Sequence, residues 1–169
     1  MPIARNPLSV SLPVSLLLPP EGDVTSLLPG PNSVSAHIAE RLSAAPAVPA
    51  ALVVLGLLRS DDTPAAADTL AATTSVVARS LRGDDWLGRS GPEEFAILLR
   101  GTAEDAEAAA TRLVTAITGL EVPGLDACAG VTALEAGTTA AETLRRATRS
   151  LQSARSSGAG RVARHPGTS

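Results

Sequence analysis

Lysine and tyrosine are absent from the sequence, and its aromatic residues are reduced to one phenylalanine and one tryptophan. The 14 basic residues are therefore all arginines, and they face 17 aspartates and glutamates, for a formal net charge of −3. A general nucleic-acid binder would carry a basic patch and aromatic side chains on which bases stack. The composition argues against that class, and it requires a core built from alanine, valine, leucine and isoleucine.

Cysteine and long apolar runs are also scarce. Cys128 is the one cysteine, so no disulfide can form within the chain, and a reducing cytoplasm is the default compartment. The apolar run at residues 11–20 is interrupted by Pro13 and ends in Pro19 and Pro20, which argues against a signal peptide. No run reaches the length of a membrane span. We therefore expect a cytoplasmic protein that does not associate with membranes.

Apolar periodicity predicts a regular series of helices and strands. Helices are predicted at 34–44 and 65–81, and two more open at Thr102 and Thr139, each followed three residues later by a carboxylate that could complete a capping box. The continuous apolar run at 51–58 is typical of a strand buried on both faces. The other predicted strands are 85–88 and 95–100, which form a hairpin, 125–132 and 161–162.

This order of elements predicts an α/β (α+β) sandwich, in which helices flank a central, mostly antiparallel sheet. The length is that of a single domain, which we place at residues 22–163. Residues 1–21 are expected to form an extended, proline-containing segment, and residues 164–169 a disordered tail. Periodicity alone assigns no function to this fold.

The predicted hairpin carries two motifs in a fixed order. Arg82 and Asp85 form an R-x-x-D motif, and after five residues it is followed by Gly91-Pro92-Glu93-Glu94-Phe95. This arrangement resembles the signature hairpin of diguanylate cyclases, in which R-x-x-D precedes GGDEF or GGEEF. Other family-like fragments follow the same order along the chain, at 23–27, 128–131 and 147–162. The chain thus resembles a GGDEF-family domain, and the resemblance implies the nucleotidyl-cyclase-like fold.

The catalytic half of the resemblance is incomplete. The family joins two GTP molecules with metal ions held by carboxylates, but Gly56 and Leu58 stand where its first strand supplies aspartates, and Pro92 replaces the second signature glycine. We expect Glu93 and Glu94 to be solvated turn carboxylates that hold no metal. The resemblance then implies a degenerate signature, no catalytic residues, no cofactor, and a chain that is not an enzyme.

The R-x-x-D half is retained. In the family, the R-x-x-D motif forms an inhibitory site that binds a stacked pair of cyclic di-GMP molecules. Arg112 falls near the position of a secondary arginine of the same site. A guanidinium can form two parallel bonds to a phosphate or to a guanine edge, and a carboxylate can accept the guanine N–H groups. The resemblance implies a bacterial signalling domain that binds cyclic di-GMP through Arg82, Asp85 and Arg112, with Trp86 as a neighbouring fluorescent probe.

Two alternatives remain open. The domain could be a platform on which an unknown protein partner docks, or through which two copies of the chain form a homodimer. In either case the nucleotide would have no role. The second alternative, an enzyme that catalyses altered chemistry on a related nucleotide, is the least favoured of the functional interpretations. Among the remaining candidates, His37 is expected to be partly exposed rather than catalytic, and Cys128 to be a small buried core residue.

Overall fold

A computed structural model of the chain describes residues 28–45, 47–60 and 65–167. The predicted N-terminal segment, residues 1–21, and the family-like fragment at 23–27 lie outside the described residues. Within the described ranges the elements are α1 (Pro31–Ala44), β1 (Ala50–Arg59), α2 (Ala67–Ser80), β2 (Trp86–Gly91), β3 (Glu94–Arg100), α3 (Ala103–Thr118), β4 (Leu125–Ala133), α4 (Ala140–Ser157) and β5 (Val162–Arg164).

The strands form one sheet in the order β2-β3-β1-β4-β5. The central strand β1 pairs antiparallel with β3 and β4, β2 and β3 form the hairpin, and β5 is parallel to β4. The predicted α/β sandwich with a mostly antiparallel sheet is therefore confirmed. Strand β5 extends to Arg164, and the N–H of His165 donates to the carbonyl of Val131 at 2.7 Å.

Both faces of the sheet are covered by helices because successive side chains of β1 point in opposite directions. Val53, Leu55 and Leu57 pack beneath α2 and α3, whereas Leu52 and Val54 pack beneath α1 and α4. Every residue of β1 from 50 to 57 is buried. The continuous apolar run is thus explained by a two-sided core, as the sequence predicts.

Helix α4 lies unusually close to the sheet. A Cβ at Gly130 would overlap the carbonyl oxygen of Ala147 and the backbone nitrogen of Leu151, so only glycine permits this contact. On the same face, a Cβ at Gly56 would overlap the guanidinium of Arg155. The two glycines together bring α4, and the arginine near its end, against the strands.

Of the two predicted capping boxes, the one at the start of α3 is complete and the one at the start of α4 is only half formed. Thr102 and Asp105 form a complete capping box at the start of α3. At α4, Thr139 accepts from the N–H of Glu142 at 3.0 Å, but the Glu142 carboxylate pairs with Arg145 and Arg146 instead of turning back to the cap. The predicted second capping box is therefore only half formed, since two nearby guanidinium groups compete for the carboxylate.

Candidate ligand-binding pocket

A pocket with a volume of about 550 Å³ lies between the turn that follows α2, the end of β3, and the outer side of α3. This volume is within the range of roughly 300–1,000 Å³ that is usual for small-molecule sites. Its lining combines guanidinium and carboxylate groups from separate elements. The charged residues on its wall are Arg82, Asp84, Asp85, Arg100, Asp105 and Arg112.

The pocket contains all three ligand-binding residues predicted from the sequence. Arg82 and Asp85 lie on the turn before β2, and Arg112 is contributed by α3 across the cavity. The packing of α3 against the sheet brings these distant parts of the sequence around one cavity. The structure thus places the three residues together, and their role in binding stays a prediction.

Asp85 shapes the turn that carries Arg82. Its Oδ2 accepts the backbone N–H of Arg82 at 2.8 Å, and its own N–H donates to the Arg82 carbonyl at 3.1 Å. The second oxygen of the Asp85 carboxylate has no hydrogen-bond partner among the described residues. One carboxylate oxygen is therefore structural, and the other is available to accept from a ligand.

Two of the guanidinium groups are unpaired. Arg82 and Arg112 are exposed, and within the described part of the chain neither side chain makes a hydrogen bond or an ion pair. Arg100, by contrast, lies 3.6 Å from the carboxylate of Asp84. Positive charge without an internal partner suits an anionic ligand, because a bidentate guanidinium–phosphate bond replaces hydration with a stronger contact.

The pKa of Asp105 is displaced from its ordinary value. Its Oδ2 accepts the N–H and the hydroxyl of Thr102, each at 3.0 Å. These two hydrogen bonds, the backbone one first, lower the pKa of Asp105 below its ordinary value. Burial opposes them, and the charge of Arg82 makes the smallest contribution, which also lowers the pKa. Asp105 is therefore ionised and already engaged in capping α3.

The sequence analysis did not identify three charged residues of the pocket: Asp84, Arg100 and Asp105. The hairpin register could have identified two of them, because β2 and β3 pair Trp86 with Leu98. Continuing the same register by two residues places Asp84 opposite Arg100. The Nη2 of Arg41 on α1 also donates to the Asp84 carbonyl at 2.8 Å, which holds this turn from the far side.

Trp86 lies outside the pocket. It packs against the core on the α1 and α4 side of the sheet, where its indole stacks on the His37 imidazole with ring centroids 4.2 Å apart and an angle of 19° between the planes. A ligand beside Asp85 would not touch the indole, so Trp86 can report binding only through movement of β2. His37 is half-buried, and its Nδ1 lies 3.1 Å from the Ser33 carbonyl.

The signature residues lie at the other end of the hairpin. Gly91 ends β2, Pro92 is exposed at the turn, and Phe95 is buried in the core. Glu93 accepts the N–H of Ala65 with one carboxylate oxygen, and Glu94 lies 3.7 Å from the Arg155 guanidinium. The expectation of two solvated carboxylates is therefore wrong.

The described residues contain no group of three or more histidine, cysteine, aspartate or glutamate side chains that could hold a metal ion. The expectation that no metal or cofactor is bound stays a prediction. No helix in the described ranges is long and apolar enough to cross a membrane. Cys128 is fully buried, as predicted, and its Sγ lies 3.3 Å from the Gly158 carbonyl.

Comparison with known proteins gives one family and one fold. Residues 64–161 match the model of the diguanylate cyclase GGDEF domain. The structure of the active GGEEF domain of a diguanylate cyclase from Vibrio cholerae is similar, with 20% identity, a TM-score of 0.71, and coverage of 83% of this chain and 99% of that one. No curated protein sequence matches.

Two further structures share the fold. The GGDEF domain of DgcB from Caulobacter crescentus, solved in complex with cyclic di-GMP, has 16% identity and a TM-score of 0.74, with coverage of 83% and 92%. The diguanylate cyclase SiaD from Pseudomonas aeruginosa, solved with its activator SiaC, has 23% identity and a TM-score of 0.72. That match covers 93% of this chain and 65% of SiaD.

The expectation that the chain is not an enzyme is contradicted by these findings. The matched family is that of the diguanylate cyclases, and one similar structure is an active GGEEF domain. The absence of carboxylates at Gly56 and Leu58 shows only a departure from a short motif. Two other carboxylates, Glu93 and Glu94, lie at the hairpin turn, and the acidic residues that follow β1 lie outside the described residues.

Proposed function

The chain belongs to the GGDEF diguanylate cyclase family, and we propose that its pocket binds cyclic di-GMP through Arg82, Asp85 and Arg112. One observation carries the proposal: two unpaired guanidinium groups and one unpaired carboxylate oxygen face the same cavity. This binding function is independent of whether the domain also converts GTP, because the pocket and the signature turn lie at opposite ends of the hairpin.

The chemistry of the ligand is complementary to these three groups. Cyclic di-GMP offers phosphodiester anions and guanine edges. Arg82 and Arg112 can each bind a phosphate, or guanine O6 and N7, with two parallel N–H bonds. The free oxygen of Asp85 can accept from the guanine N1–H or N2–H. The DgcB domain, which has the same fold and was solved with cyclic di-GMP, supports this choice of ligand.

Calorimetric titration of cyclic di-GMP into the purified chain tests the proposal. Arg82→Ala and Arg112→Ala should each remove one charge-assisted contact, which costs about 1.5–3 kcal/mol, or roughly tenfold or more in affinity. Arg79→Ala is the matched control, because Arg79 is an exposed arginine at the end of α2 that does not line the pocket. Glu93→Gln, at the other end of the hairpin, should leave affinity unchanged.

An absence of binding at high micromolar ligand, or equal losses in Arg79→Ala and Arg82→Ala, would refute the proposal. The docking-platform alternative would then take its place, and the complex of SiaD with its activator SiaC gives a precedent for a protein partner. A homodimer stays a prediction, which light scattering can check. We also place the chain in the cytoplasm, which its single buried cysteine favours.

A further inference from the structure

Arg100 differs from the other arginines of the pocket. It lies at the last position of β3 and faces the cavity, but neither the R-x-x-D motif nor the family resemblance includes it. Arg82 and Arg112 have no side-chain partner among the described residues, whereas Arg100 is held 3.6 Å from the Asp84 carboxylate. The pocket therefore has two free guanidinium groups and one restrained group.

The three pocket carboxylates also differ in what holds them. Asp85 accepts a backbone N–H in the turn, and Asp105 caps helix α3. Only Asp84 is paired with a guanidinium group of the pocket itself. An anionic ligand that entered the pocket would therefore compete directly with the Asp84 carboxylate for the Arg100 side chain.

The ion pair between Asp84 and Arg100 is easily opened. The Asp84 side chain is 51% exposed and that of Arg100 is 61% exposed, and ion pairs in such surroundings contribute little to stability because water competes for both charges. The Asp84 backbone is held separately by Arg41, so its side chain can turn away without disturbing the turn.

From these observations we infer that Arg100 is a third anion-binding residue of the pocket, and that Asp84 restrains it until a phosphodiester replaces the carboxylate. The inference rests on the proposed function and extends it. Arg100 then raises the affinity for cyclic di-GMP and Asp84 lowers it, although both side chains line the same cavity.

Calorimetry with cyclic di-GMP at fixed salt tests this pair directly. Arg100→Ala should weaken binding about tenfold, through the loss of one charge-assisted contact. Asp84→Asn should tighten binding about twofold to fivefold, because the ligand no longer has to break the ion pair. Arg79→Ala again controls for the loss of one exposed positive charge, and thermal unfolding confirms that each variant is folded.

The double variant Asp84→Asn/Arg100→Ala identifies the cause. If Asp84 acts by restraining Arg100, the double variant should bind like Arg100→Ala alone. Tightening by Asp84→Asn that persists in the Arg100→Ala background would overturn the restraint. Unchanged affinity in Arg100→Ala, while Arg82→Ala loses binding, would overturn the role of Arg100 and leave the proposed function intact. No binding by the unaltered chain would overturn both.

Discussion

The two ends of the β2–β3 hairpin carry similar charged side chains but differ in how those charges are paired. At the turn end, Glu93 accepts a backbone N–H and Glu94 faces the Arg155 guanidinium. At the open end, Arg82, together with Arg112 of the neighbouring helix α3, faces a cavity and makes no hydrogen bond or ion pair among the described residues. Only Arg100 is paired there, with the Asp84 carboxylate. Paired charges hold a structure together, whereas unpaired charges around a cavity are free to bind a ligand.

The comparison shows why residue type is a weak guide to binding. Both ends match parts of the same sequence signature, and both contain arginine and acidic residues. They differ in packing: α4 places Arg155 over Gly56 at the turn end, while the spacing between α3 and the turn after α2 leaves a cavity at the open end. We therefore expect the largest loss of stability from a substitution that displaces α4.

Gly130→Ala should disrupt the packing at the turn end of the hairpin, because it forces α4 away from β4. The added methyl would overlap the backbone of Ala147 and Leu151, which cannot rotate aside as a side chain can. We expect the free energy of unfolding to fall by about 3 kcal/mol, as measured by urea denaturation.

Gly56→Ala is the matched control for that substitution. Its methyl would meet mainly the end of the flexible Arg155 side chain, which can move, so a loss of about 1 kcal/mol or less is expected. Equal losses for Gly56→Ala and Gly130→Ala would contradict the direct contact between the α4 backbone and the sheet.

Thr102→Ala tests the open end, where the capping box fixes the start of α3. Removal of the hydroxyl leaves the N–H of Asp105 without its cap, so we expect a loss of about 1 kcal/mol in urea denaturation. Thr111→Ala, in the same helix, removes only a hydroxyl that bonds back to the Glu107 carbonyl. It should cost little or nothing, and a larger loss than that of Thr102→Ala would argue against the cap.

The cap also predicts a dependence on pH. The hydrogen bonds from Thr102 lower the pKa of Asp105 in the folded chain, so the unfolded chain binds the proton more tightly. The resulting stabilisation is complete above the ordinary aspartate pKa of about 3.9 and is lost as the pH falls through the lower, folded value. Thr102→Ala should show less of this acid-dependent loss.

Glu94→Gln should have the smallest effect. Its carboxylate and the Arg155 guanidinium are 3.7 Å apart, with side-chain exposures of 26% and 33%, so the pair is expected to contribute less than about 1 kcal/mol. A cycle with Arg155→Gln measures the coupling between them. Cyclic di-GMP affinity should not change, and an altered affinity would show that the two ends of the hairpin are not independent.

Much of the fold could be predicted from local patterns. The apolar run that became β1, the hairpin and the Thr102 cap each depend on neighbouring residues in sequence, and the structure confirms them. The family resemblance supplied Arg82, Asp85 and Arg112, and the structure places them around one cavity. Neither pattern shows that both arginines lack a hydrogen-bond or ion-pair partner among the described residues.

What could not be predicted depends on contacts between distant elements. The position of Arg155 over Gly56 requires the close approach of α4 at Gly130, which no local pattern reveals. The pairing of Asp84 with Arg100 requires the hairpin register to be known beyond the last ladder pair. The second capping box failed for a local reason instead, because Arg145 and Arg146, one turn along the same helix, bind the Glu142 carboxylate.

Helix α1 contacts the chain on both sides of Asp85, through Arg41 at residue 84 and through His37 at residue 86. Any free energy that couples two events acts equally on each of them. If a ligand at Asp85 strengthened the attachment of α1, an attached α1 would strengthen ligand binding by the same factor. Amide hydrogen exchange in α1, with and without cyclic di-GMP, would measure that coupling, although none of the described pocket residues comes from this helix.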